Sequence, residues 1–327
     1  MRRRAFMSLF GGAAAAAFSR GRIAHAQSTR VYRVGVLEPM PPTQNATNLA
    51  ALRDELRNRG YIEGKNLQIE HRSANGDEGK FPALAADLLG LNVDVIVTRG
   101  TPAVQAAQNA TKTTPIVMAA TGAPLLVASS FHRPGGNVTG MTTFSLELVG
   151  KRIELLKELF PDVSRIAMLH SVANPMNPPE WDEAQKAARA LNLEILHLDV
   201  RNKDDIHSAF EFAAQQRVGA LLIGADAVTQ THQAAIVELA ARNNLPAIHP
   251  SRDFVAIGGL IAYSVDYASL YARAAALVDK IFKGAHPDEL PIEQPTRFEL
   301  VVNLKTARAM GLRIPESFLL RADEVIE

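Results

Sequence analysis

The feature that most constrains this chain is a series, run through twice, of short β-branched segments separated by helical stretches. Residues 31–37 read Val-Tyr-Arg-Val-Gly-Val-Leu, and residues 49–59 follow with Leu49, Leu52 and Leu56 at helical spacing, which predicts a strand and then a helix. The alternation continues with strands over 66–71, 93–98, 115–119 and 137–142 and helices over 80–89 and 102–109. Residues 93–97 are apolar except for Asp94, as suits a parallel strand covered on both faces. A helix over 147–160, ended by Pro161, opens the second series. Its strands fall at 165–170, 194–199, 220–223, 247–249 and 260–263, with helices over 180–190, 204–216 and 232–243. This order predicts an α/β fold of two Rossmann-like lobes, each with a parallel sheet and right-handed crossovers.

The Gly/Thr-rich stretch 135–143 between the two series reads as a hinge. A last helix (270–282), strand (298–302) and helix (304–310) are too few to bury a core of their own, so they must pack on the lobes already made. The chain then recrosses near 264–267 and near Thr296, giving a hinge of three crossings. The expected layout is residues 27–145 plus about 267–297 in one lobe and 146–266 plus about 298–327 in the other.

Residues 1–26 differ in character. Arg2-Arg3-Arg4 precede a weakly apolar stretch from Ala5 to Phe18, and Ala24-His25-Ala26 offers a small-x-small cleavage site before Gln27. This is the pattern of an export signal, and the Arg pair resembles the twin-arginine type. The apolar stretch falls short of the ~20 residues that span a bilayer. The whole chain has a net charge of +1, but cleavage after Ala26 removes five Arg and no acid, leaving 30 basic and 34 acidic residues. A mildly acidic protein of the periplasm is expected, and nucleic acid is an unsuitable partner. With no Cys, the chain has no disulfide, thiolate metal site, Cys nucleophile or lipid-bearing Cys.

In parallel α/β sheets a ligand sits at the carboxyl ends of the strands, where helix N-termini offer free N–H groups. Those loops contain Glu38, Arg99-Gly100-Thr101 and Thr121-Gly122 in the first series, and Ser171, Asn174, Asp226 and Ser251 in the second. Thr101, Thr121 and the N–H groups around Gly122 are candidates to hold a carboxylate. Asp226 is either the partner of an ammonium or a helix cap. Arg99 is either a carboxylate clamp or half of a rim ion pair. Phe144 and Tyr263 either sandwich an apolar side chain or pack in the core. The turn after the first strand, Glu38-Pro39-Met40, lacks the glycines of a dinucleotide site, and no phosphate loop, nucleophile elbow or His/carboxylate metal motif is present. No cofactor, no metal and no enzymatic activity are expected.

Several longer segments resemble a known family. They are Tyr61-Ile62-Glu63-Gly64-Lys65-Asn66, Arg133-Pro134-Gly135-Gly136-Asn137-Val138-Thr139-Gly140, Gly219-Ala220-Leu221-Leu222-Ile223-Gly224-Ala225-Asp226 and Pro295-Thr296-Arg297-Phe298-Glu299-Leu300-Val301-Val302-Asn303. They resemble the ABC-transporter substrate-binding proteins of the tryptophan-binding-protein-like family. The resemblance implies a type I periplasmic binding protein, a monomer that encloses a small molecule, such as an amino acid or related carboxylate, between its lobes. It also implies delivery to an inner-membrane ABC permease with its ATPase. A sensor passing closure to a membrane receptor, or a small-metabolite enzyme on the same scaffold, are the alternatives. The chain departs from the family pattern at the cleft, in the loop at Glu38, at Arg99 and in Ser171-Val172-Ala173-Asn174-Pro175.

Overall fold

The computed structural model describes residues 30–327, so the export signal expected over 1–26 lies outside the described residues. The first series forms β1 (Tyr32–Glu38), α1 (Ala46–Asn58), β2 (Leu67–Ser73), α2 (Phe81–Gly90), β3 (Val95–Arg99), α3 (Thr101–Ala110), β4 (Ile116–Thr121) and β5 (Val138–Thr142). The second opens with α4 (Ser145–Leu159), β6 (Arg165–His170), α5 (Asn177–Ala190), β7 (Glu194–Asp199), α6 (Lys203–Gln215), β8 (Ala220–Ile223) and α7 (Ala227–Thr231). It continues with α8 (Gln233–Arg242), β9 (Ala247–His249), α9 (Arg252–Ala256) and β10 (Ile261–Val265). The chain ends in α10 (Tyr267–Phe282), β11 (Phe298–Asn303), α11 (Leu304–Ala309), α12 (Glu316–Leu319) and β12 (Glu324–Ile326).

Two sheets result, ordered β2-β1-β3-β4-β5 and β12-β11-β10-β9-β8-β6-β7. Alternate residues of each strand feed opposite layers, which is why the strands read as continuous apolar runs. Val95, Val97, Val117 and Ala119 pack toward α1 and α10, whereas Ile96, Ile116 and Met118 pack toward α2 and α3. In the second sheet, Ile166, Met168 and Leu222 face α4 and α5, and Ala167, Leu169, Leu221 and Ile223 face α6 and α8. Each fully buried Val, Leu or Ile contributes ~1.5–3 kcal/mol of apolar burial.

The sequence expectation of purely parallel sheets holds for the first and fails at one pair of the second. β11 runs antiparallel to β10, with Ser264 opposite Glu299. The cause is the connection: the chain leaves the second sheet through α10 and returns from the first sheet's side, entering the edge in reverse. The stretch 135–143 is mostly strand rather than hinge. Its glycines Gly135 and Gly136 form a turn with positive φ, β5 occupies 138–142, and only Thr143 and Phe144 remain as the passage. Phe144 itself sits in the left-handed region at φ 50°.

The second passage is Asp266, whose carboxylate accepts the N–H of Ser269 and caps α10. Residues Tyr271, Ala274, Leu277 and Val278 of α10 join the core under β1 and β3. The third passage follows Glu293, which is tied to the edge of β5 through Thr142 N–H to its carbonyl (3.0 Å) and its own N–H to Gly140 (2.8 Å). The helix expected over 232–243 is α8, and a short helix that the periodicity did not indicate, α7, precedes it, capped by Asp226 and ended at His232 with ψ 25°. The short elements α9, α12 and β12 carry too few residues to show a period.

Candidate ligand-binding cleft

The carboxyl ends of β1, β3 and β4 face those of β6 and β8 across a narrow cavity. The two walls touch beside it. Gln44 Nε2 donates to the carbonyl of Thr231 at 3.0 Å, and Thr231 Oγ1 donates to the carbonyl of Pro39 at 3.2 Å.

One end of the cavity suits an anion. Arg99, the last residue of β3, is 3% exposed and lines it with Gly100 and Thr101. Gly100 stands at φ 83°, which turns the chain from β3 directly into α3. The first turn of α3, with Pro102 beside Thr101, therefore presents its free N–H groups at the cleft. The Arg99 guanidinium lies 4.5 Å from the centroid of the Tyr267 ring, and its Nη1 donates to Asn45 Oδ1 at 2.7 Å. Burial opposes its charge, but Tyr271, Tyr267, Asp253 and Glu38 outweigh that and raise its pKa above the ordinary value. Its Nε has no partner in the protein.

The opposite end is acidic. Asp226 caps α7, with Oδ1 accepting the N–H of Thr229 at 2.9 Å and Oδ2 accepting that of Ser171 at 2.8 Å. Thr229 Oγ1 accepts in return from Asp226 N–H, completing a capping box. Burial pushes the Asp226 carboxyl up to about 6 against the lowering effect of these N–H groups. Glu180 of α5, 6% exposed, is pushed to about 7 by burial, with Arg152 opposing and Asp226 adding to the rise. Glu78 is likewise pushed to about 7 by burial and by Asp226, although it accepts the N–H of Ala227. Pro39, Phe81, Pro102, Met176 and Tyr267 add apolar surface to the lining.

Of the residues singled out from the sequence, Arg99, Gly100, Thr101, Gly122, Asn174 and Asp226 come together around this cavity. The remainder do not line it. Glu38 is fully buried behind Arg99, where Oε1 accepts from Asn45 Nδ2 (2.7 Å) and Tyr271 OH (2.6 Å) and Oε2 faces His71 Nε2 (3.1 Å). Thr121 ends β4 next to the cavity, its hydroxyl buried without a protein partner. Ser171 supports Asp226 through its backbone, and Ser251 turns its hydroxyl to Asp253 at 3.4 Å. Phe144 and Tyr263 flank Phe298, with ring centroids 6.5 and 6.4 Å from it, outside the lining of this cavity. Asp226 is unambiguously a helix cap, and it lines the cavity as well. Sequence reasoning missed Glu78, Glu180, Phe81, Met176, Gln230 and Tyr267. The available signals were slight: Glu180 stands in the first turn of α5, and Tyr267 follows the second crossing.

Against this geometry, the sequence model of a family described as ABC transporter substrate binding protein matches residues 34–326. The chain belongs to that family. The fold is that of type I periplasmic binding proteins. A tyrosine-binding protein from Clostridioides difficile is 25% identical over 260 residues, covering 79% of this chain and 74% of that protein. The crystal structure of a conserved domain protein from Vibrio cholerae superposes with a TM-score of 0.84 at 26% identity, covering 90% of this chain and all of the other. An ABC domain in complex with L-Trp from Streptococcus pneumoniae gives a TM-score of 0.83 at 26% identity, with the same coverage. Members of this family are binding proteins for small ligands rather than enzymes. Among the described residues no helix is long and apolar enough to cross a membrane, and no group of three or more His, Cys, Asp or Glu is placed to hold a metal ion.

Proposed function

We propose that this chain is the periplasmic receptor of an ABC importer and captures an amino acid or related carboxylate in the cleft between its lobes. The observation that carries the reading is the polarity of the cavity, with Arg99 and the start of α3 at one end and Asp226 with Glu180 at the other. A carboxylate is matched by the guanidinium fork and the free N–H groups of a helix start. An ammonium is matched by buried carboxylates, whose ionised form it stabilises in return. The ligands named for the Clostridioides difficile and Streptococcus pneumoniae relatives, tyrosine and L-Trp, support an amino acid.

The lobes in this reading comprise residues 27–145 with about 267–297, and 146–266 with about 298–327. They close about 143–144, 265–267 and the segment before β11. Ligand contacts made to both lobes at once favour the closed arrangement, because only that arrangement offers them together. The closed lobes then dock on an inner-membrane permease, whose ATPase drives release. The N-terminal Arg-rich segment supports export to the compartment where such a receptor works.

A thermal-shift screen of the purified protein against amino acids, short carboxylates and aromatic acids tests this. A ligand of the folded state adds about 2.7 kcal/mol of stability at a hundredfold excess over its Kd. A clear shift with an amino acid supports the reading. No shift across the screen, together with recovery of a ligand lacking carboxylate and amine from denatured protein, would refute it.

A further inference from the structure

Resting on the amino-acid reading above, we propose that the ligand of this cleft carries a second cationic group besides its α-ammonium, and that Glu78 and Glu180 select it. One guanidinium, that of Arg99, faces three carboxyl groups, those of Glu78, Glu180 and Asp226. Asp226 repels charge on both of the others, so the three stand as one cluster. Arg152 is buried near Glu180 but directs its Nε to the carbonyl of Tyr263 at 2.8 Å, not to a carboxylate.

A single α-ammonium brings one charge and three N–H donors. Asp226 already accepts two backbone N–H groups and can take one more cationic partner. Glu180 would then have only Arg152 nearby, which hydrogen-bonds elsewhere, and the partly buried Glu78 would have no ion-pair partner, an excess of negative charge that is costly in a closed cleft. A second independent observation points the same way. Gln230 lines the same cavity, is 8% exposed, and its Oε1 has no hydrogen-bond donor in the protein. The acidic end therefore holds four acceptor side chains, more than one ammonium satisfies. The apolar surface at Phe81, Met176 and Tyr267 suits the methylene chain that separates the two cations in a diamino acid. The chemistry recognised is that of lysine, ornithine or arginine, in contrast to a neutral aromatic amino acid.

The test is equilibrium titration calorimetry of the purified protein at pH 7.5 with two matched ligand pairs, L-lysine against L-norleucine and L-arginine against L-citrulline, plus L-tryptophan and L-tyrosine. Each pair shares its carbon chain and differs only in whether the side-chain terminus carries the cationic group, with arginine and citrulline matched in shape as well, so the comparison on the unaltered protein needs no variant to fold. The cationic member is expected to bind at least tenfold tighter than its neutral partner and than either aromatic. Glu180→Gln and Glu78→Gln are each expected to shrink that ratio severalfold. Equal or tighter binding of the neutral members, or of L-tryptophan or L-tyrosine, overturns this inference and leaves the amino-acid reading intact. Silence with all six, with a non-amino acid released on denaturation, overturns both.

Discussion

Arg99 Nη1 donates to Asn45 Oδ1 at 2.7 Å, which joins the end of β3 to the residue that precedes α1. The same oxygen accepts Asn48 Nδ2 at 2.7 Å, and the Asn45 amide donates to Glu38. The guanidinium is thus held by a buried amide whose own orientation is set from two sides, with the Tyr267 ring across its face. A cation so constrained loses little entropy on meeting a carboxylate.

Arg99→Lys removes the planar fork and the ring contact while keeping the charge. Affinity for a carboxylate-bearing ligand is expected to fall roughly ten- to hundredfold, the value of about 1.5–3 kcal/mol for hydrogen bonds to a charged group. Titration calorimetry measures it. An unchanged Kd would assign Arg99 a role in holding β3 to α1 alone.

Asp226 has two tasks that substitutions separate. Asn is as good an N-cap as Asp, whereas Ala costs about 0.5–2 kcal/mol. Asp226→Asn keeps the cap to Thr229 through its one amide oxygen but leaves the Ser171 N–H without an acceptor, so it is expected to lose about 1–3 kcal/mol of stability and to bind amino acids at least tenfold more weakly. Asp226→Ala is expected to lose the cap as well as binding. Melting curves with and without ligand distinguish them, and full affinity in Asp226→Asn would leave the carboxylate as a cap only.

Two sets of buried groups give opposite dependences on pH. His170 and His249 are held neutral in the fold by burial, with pKa values down at about 3. In the unfolded chain their pKa is about 6.5. The unfolded state therefore binds more protons between these values, and the stability from neutral burial is present above pH ~6.5 and lost as pH falls toward 3. The carboxyls of Glu78, Glu180 and Asp226 are raised to about 7, 7 and 6. Their contribution is present below pH ~4 and lost as pH rises through 6 and 7.

Both ring nitrogens of His249 lack a hydrogen-bond partner in the protein, and the ring stacks on Phe254 at 4.8 Å. His249→Leu is expected to stabilise relative to the wild type by an amount that grows as pH falls from 6.5. Glu180→Gln is expected to gain on the wild type as pH rises from about 4.5 past 7. Urea midpoints for both variants at pH 5 and pH 7.5 check the signs, and a pH-independent difference would refute the linkage.

Gly140 sits in β5 at φ 139°, and a Cβ there would lie 2.3 Å from the carbonyl oxygen of Met118. Backbone cannot yield to a methyl group as a flexible side chain does. Gly140→Ala is expected to cost about 3 kcal/mol or more, seen as a large fall in Tm or loss of soluble protein. A near-normal Tm would show that β4 and β5 can separate at this point.

Thr231 bridges the cleft without lining the cavity. Thr231→Ala removes its hydroxyl bond to Pro39, worth about 1 kcal/mol. If closure drives capture, ligand affinity drops severalfold while the contacts to the ligand stay in place. Small-angle scattering with and without ligand reports whether the closed population shifts.

By itself the sequence determined the succession of strands and helices, because a side chain's burial period is a local property. Residues 93–97 read as a doubly covered strand, and Val95, Ile96 and Val97 are fully buried in the first sheet; 220–223, read as a strand, is likewise buried in the second. Six loop residues at strand ends were also legible, since the carboxyl edge of a parallel sheet follows from the alternation alone. Tertiary structure decided what lies opposite what. Glu78 and Glu180 look like ordinary helix-start acids, and they meet Asp226 only because residues of both lobes converge on one cavity. Glu38 turns behind Arg99 because Tyr271, 233 residues on, returns through the second crossing to bond it. Phe144 and Tyr263 turn to Phe298 because β11 re-enters the sheet in reverse beside β10. Periodicity records that a residue is buried; which distant residue buries it depends on the path of the chain between lobes.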